Sequence, residues 1–144
     1  MKKQVFGIFA VLTMLVALAS ISVHAQSQRD IVNIPFNFAV GEKTLSAGEY
    51  AVSPNRRDSQ NIWRLEGDRN TVLFATVAVT SASTQDKTKL VFHKYNDQYF
   101  LSQVWIAGED SGREIPATRV ESQLARNGVQ REEVTVTLGG LAQQ

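Results

Sequence analysis

The sequence predicts an all-β fold, a small and mainly antiparallel barrel or sandwich of about seven strands with one short helix. Three observations carry this. Apolar residues alternate with period two in one run after another, turn residues interrupt those runs at short intervals, and a single segment has helical spacing with caps at both ends. Periodicity does not separate a barrel from a sandwich.

Residues 1–25 read as a cleavable export signal. Lys2 and Lys3 open it, Val5 to Ala19 is apolar apart from Thr13, and Val23-His24-Ala25 places small residues where a signal peptidase reads them; Ala17-Leu18-Ala19 offers a second site. As a membrane anchor the apolar run is short, since fifteen helical residues cover about 22 Å of a roughly 30 Å hydrocarbon layer. The expected mature chain is therefore a single β domain over 26–144, exported to the periplasm or the exterior.

Val32, Ile34, Phe36, Phe38 and Val40 fall on one face of an alternating run, with Asn33, Pro35, Asn37 and Ala39 on the other. Pro35 lacks a ladder donor and points to an edge or a bulge. Leu45-Ser46-Ala47-Gly48 reads as a turn before a short strand through Tyr50 and Val52, and Pro54 to Asn61 as an exposed loop. Ile62 to Glu66 is a strand with Trp63 and Leu65 on one side. After the turn Gly67-Asp68-Arg69-Asn70, Thr71 to Thr80 is apolar on both faces, which predicts a strand in the middle of the structure.

Lys87 to Tyr95 and Gln98 to Ala107 flank Asn96-Asp97 as a hairpin. A two-residue loop sets Tyr95 opposite Gln98, and a four-residue loop sets Lys94 opposite Tyr99. Strict alternation in the returning strand groups Phe100, Val104 and Ile106 against Tyr99, Leu101, Gln103 and Trp105. Gly108 to Gly112 breaks the pattern. The helix is expected over Ala117–Asn127, with Thr118 and Glu121 at capping-box spacing and Asn127-Gly128 as its stop. Glu132 to Leu138 is a last amphipathic strand, and the tail from Gly139 is expected to fray.

Composition excludes several functions. Without Lys2 and Lys3 the chain holds 13 basic against 14 acidic residues, and its densest basic pair is Arg56-Arg57. The clustered cations that bind nucleic acid or an anionic membrane surface are missing. No cysteine is present, which removes disulfides, thiol catalysis and a lipidated cysteine. His93 is the one histidine beyond the leader. No metal motif or Gly-rich phosphate loop occurs, and no cofactor is expected.

Three segments together resemble a family of small exported bacterial proteins with no assigned activity. They are Ile34-Pro35-Phe36-Asn37-Phe38-Ala39-Val40-Gly41 continuing to Leu45-Ser46-Ala47-Gly48-Glu49-Tyr50, then Lys89 to Leu101, then Gly112-Arg113-Glu114-Ile115-Pro116 with the helix after it. Where Ser46 stands, the family pattern has proline. The resemblance implies export and one β domain, and it implies no catalytic residue.

Glu109-Asp110-Ser111-Gly112 matches the surroundings of a trypsin-like nucleophile poorly and reads as a loop. Glu132-Glu133 point to opposite faces of a strand and cannot act together as a carboxylate pair. The aromatics around the hairpin are the better candidates. If Tyr95, Tyr99 and Trp105 share a face, with Trp63 as a candidate fourth member, they form a binding platform; otherwise they are core. The leading functional reading is a non-enzymatic exported β module that binds a macromolecule or cell-envelope component. A second is a lipocalin-like binder with a cavity lined by Phe36, Phe38, Phe74, Phe92 and Trp105. A third is a hydrolase using His93 with a nearby acid and serine.

Overall fold

The computed structural model describes residues 30–55, 61–138 and 140–141. Residues 1–25, read from the sequence as an export signal, Arg56-Arg57-Asp58 and the last three residues lie outside the described residues. In chain order the elements are β1 (Asp30–Ile34), β2 (Phe38–Val40), β3 (Lys43–Leu45), β4 (Gly48–Pro54), β5 (Ile62–Gly67), β6 (Thr71–Ala75), β7 (Val77–Thr80), β8 (Lys89–Tyr95), β9 (Gln98–Trp105), β10 (Ser111–Glu114), α1 (Arg119–Arg126), β11 (Arg131–Thr137) and β12 (Gly140–Leu141). They form two sheets. The small one has the order β1-β4-β5-β6; the large one runs β12-β11-β8-β9-β10-β7, and β2, with β3 beside it, joins the free part of β9. Neither sheet closes on itself, so the fold is an all-β sandwich.

Among the described residues twelve strands stand where alternation suggests about seven, because two of the long runs are divided and three short strands, β3, β10 and β12, form outside the alternating runs. The Val32–Val40 run is two strands. Pro35 interrupts the ladder, the chain leaves the small sheet after Ile34, and it enters the large sheet at Phe38. Asn37 secures the crossing, its Oδ1 accepting from the Ala47 N–H at 3.0 Å. Burial still alternates, since Val32, Ile34, Phe38 and Val40 all face the interior that the two sheets share.

Thr71–Thr80 is likewise two strands, and neither is central. β6 edges the small sheet and β7 the large one. Between them the buried Thr76 turns the corner, its N–H and Oγ1 both donating to the Asn61 carbonyl, at 2.8 and 3.1 Å. Leu73 and Val77 are therefore more than half exposed. A run of β-branched residues reports strand propensity, and it reads the same at an edge as in the middle. The expected break at Gly108–Gly112 ends early, because Ser111 and Gly112 already pair in β10.

The interior is filled by rings. Phe38 meets Tyr50 and Phe92 edge-on with centroids 5.3 and 5.4 Å apart, and Phe36 meets Phe92 at 5.1 Å. The side chains expected to line a lipocalin-like cavity thus occupy the space themselves, apart from Trp105, which lies on the other face of the large sheet. α1 begins at its N-cap Thr118 and ends at Asn127 and Gly128, as the capping residues predict.

The β8–β9 hairpin has the two-residue loop, with Tyr95 opposite Gln98. Asn96 carries the positive φ, +54°, and Asp97 does not. The turn's strain therefore sits one residue earlier than an Asp97→Gly replacement would relieve. Asn96→Gly should leave stability unchanged or raise it by up to about 1 kcal/mol, while Asp97→Gly lowers it slightly. Urea denaturation of the two variants checks the assignment, and the reverse order would contradict it.

Further along, the hairpin contains a bulge. Phe92 pairs with Leu101 but Val91 pairs with Gln103, leaving Ser102 as the extra residue. Beyond it the alternation inverts. Leu101 and Val104 both face the interior, while Ser102, Gln103 and Trp105 turn outward.

Candidate functional site

The inversion at Ser102 decides where the aromatic candidates lie. Tyr99 precedes the bulge and belongs to the interior face, its ring stacked on Phe36 with centroids 3.9 Å apart. Tyr95 and Trp105 are buried on the opposite face of the sheet. Trp105 lies over Gly112 of β10, and its Nε1 donates to Gln103 at 3.0 Å. The platform expected from Tyr95, Tyr99 and Trp105 together is not assembled. Trp63 is in the sandwich core.

On the outer face, beneath α1, Ser102 lies beside His93 instead. Thr118 caps that helix, its Oγ1 accepting from the Glu121 N–H at 3.1 Å, and this fixes the first turn so that the Glu121 side chain meets the sheet. Glu121 Oε1 lies 2.6 Å from His93 Nδ1, and Ser102 Oγ lies 3.0 Å from His93 Nε2. A carboxylate only accepts, so Nδ1 carries the imidazole proton and Nε2 is left to accept from the serine hydroxyl. Glu121 and Ser102 are each 5% exposed.

Tyr95 and Arg131 line the same hollow as this network. Burial, reinforced by the Glu121 charge, raises the Tyr95 pKa above its ordinary value, and Arg131 opposes the shift. The hollow, of about 480 Å³, lies against these groups, and its lining also includes Ile115, Ala125 and Arg126. The order serine hydroxyl, imidazole, carboxylate is the one that activates a serine as a nucleophile.

A second hollow, about 430 Å³, lies at the other end of the hairpin. It opens between the β2–β3 hairpin, the start of β9 and the first turn of α1. Ala39, Tyr99, Phe100 and Val120 give it apolar walls, and Glu42, Asp97 and Arg119 add charge. Val120 is 52% exposed, although it lies on the helix beside a residue as buried as Glu121.

Of the two hollows, sequence reasoning reaches Tyr99 and His93 but misses Ser102 and Glu121. A signal existed for each. Ser102 is the one hydroxyl residue in the apolar run Phe100–Trp105, and Glu121 stands at the capping-box position of the only helix read from the sequence. No family model, curated protein or solved structure matches this chain.

Proposed function

We propose that this protein is an exported β-sandwich module that binds a macromolecule of the cell envelope, and that the groove between β2, β9 and α1 receives an apolar group of that partner. The export signal of residues 1–25 supports the compartment. The observation that carries the reading is the groove itself, where Tyr99 and Phe100 form part of an apolar wall beside the largely exposed Val120. Among the described residues, no helix is long and apolar enough to cross a membrane.

The test places a photo-crosslinking phenylalanine derivative at Val120 in the exporting cell. Leu73, exposed on β6 of the other sheet, serves as the control position. Crosslinking to one envelope species from position 120 and not from position 73 is expected. Val120→Asp should abolish co-purification of that species without changing the melting temperature. Equal crosslinking from both positions would remove the groove as the binding site.

A further inference from the structure

The groove leaves the hollow beside His93 without a role, and its chemistry differs. We propose that Ser102, His93 and Glu121 form a nucleophilic hydrolase site for small carboxylic esters.

The geometry carries the assignment. Three side chains from β9, β8 and α1, with His93 and Glu121 28 positions apart in sequence, meet in the order a serine nucleophile requires, at 3.0 and 2.6 Å. The serine occupies the extra position of a β-bulge, a feature over-represented next to active sites. Alternation after Leu101 turns position 102 to the face of His93 and Phe100, and the bulge leaves it without a residue directly opposite. The imidazole and both its partners line a hollow large enough for a short ester. Two guanidinium groups, Arg126 and Arg131, line it together with the carboxylates of Glu114 and Glu121, and they are the cationic donors available to the charge that develops on an attacked carbonyl oxygen. Exposed Glu114 on the same lining disfavours polyanionic substrates.

The reaction follows from the hydrogen bonds. Ser102 Oγ attacks the ester carbonyl carbon while its proton passes to His93 Nε2. The carbon–oxygen bond to the alcohol breaks, and the departing alcohol takes that proton, leaving an acyl-serine. A water molecule gives its proton to Nε2 and attacks the acyl carbon; the acid leaves as the proton returns to Ser102 Oγ. Ser102 and His93 are the catalytic residues. Glu121 is a positioning residue, holding Nδ1–H and stabilising the imidazolium that forms in each half-reaction.

A fluorophosphonate tests the nucleophile directly, since the serine oxygen bonds to phosphorus as fluoride leaves. Intact mass of the exported protein should show one adduct, and peptide mapping should place it on Ser102. Ser102→Ala should abolish the adduct, and His93→Gln should slow its formation by about 100-fold or more. With p-nitrophenyl acetate as substrate, Glu121→Gln should lower kcat by a similar factor while KM and the melting temperature hold, a split that a purely structural contact would not produce. Absence of an adduct on folded wild-type protein overturns the proposal. So does an adduct on another serine, or labelling that His93→Gln leaves undiminished.

Discussion

Phe38→Ala should lower the stability of the protein by about 3–5 kcal/mol. The side chain is 1% exposed and wedged edge-on between Tyr50 of the small sheet and Phe92 of the large one. Its removal deletes the transfer energy of a ring and opens a void that backbone from two sheets cannot close together. For a domain whose whole stability is of the order of 5–15 kcal/mol, that is enough to bring it near unfolding. Phe36 provides the contrast. It sits in the crossing between the sheets and is half-buried, with one face stacked on Tyr99, so Phe36→Ala should cost roughly 1–3 kcal/mol. Guanidinium titration of both variants measures the difference. Equal losses would mean that the crossing packs as tightly as the centre, contrary to the burial described.

Gly112→Ala should destabilise by about 1–3 kcal/mol, a large effect for one methyl group. Gly112 and Trp105 are cross-strand partners, and a Cβ at position 112 would lie 2.6 Å from two carbons of the indole. The ring has little freedom to retreat, being buried and held through Nε1 by Gln103. The sandwich uses the same arrangement a second time, where Tyr50 lies over its partner Gly67 and a Cβ would meet the ring at 2.6 Å. The effect at Gly112 should depend on the indole. In a Trp105→Leu background the alanine should cost much less, and a double-mutant cycle by thermal denaturation reads that coupling. Additive losses would show that the backbone, and not the ring, resists the substitution.

Local pattern made much of this architecture readable. Ile62–Glu66, the Asn96-Asp97 hairpin and the capped helix appear near where alternation and turn chemistry place them, since each depends on neighbours a few residues away. The misreadings share one cause. Alternation says which residues face inward, and it is silent about which sheet supplies the inside. Val32–Val40 keeps its period of two while passing from one sheet to the other, and Thr71–Thr80 conceals a corner at a single threonine. The bulge is subtler, because no glycine or proline marks Ser102, and one extra residue moves Trp105 from the face of Tyr99 to that of His93. The His93 cluster was the least legible part. Its members come from three elements, and only the folded register makes them neighbours.

The three places where the chain changes sheets govern how the molecule comes apart. The passage at Pro35–Asn37 is three residues long, the return at Ser46–Ala47 is two, and the one at Thr76 is a single residue pinned to Asn61 by two hydrogen bonds. None has slack. A sandwich whose halves are joined by long loops can open like a book, releasing one sheet while the other keeps its protection against amide hydrogen exchange. Here separation pulls on β1 and β2, on β3 and β4, and on β6 and β7 at the three crossings, so strand pairs in both sheets must break before the faces part. The slowest-exchanging amides of the two sheets therefore belong to one cooperative unit and report the same global opening.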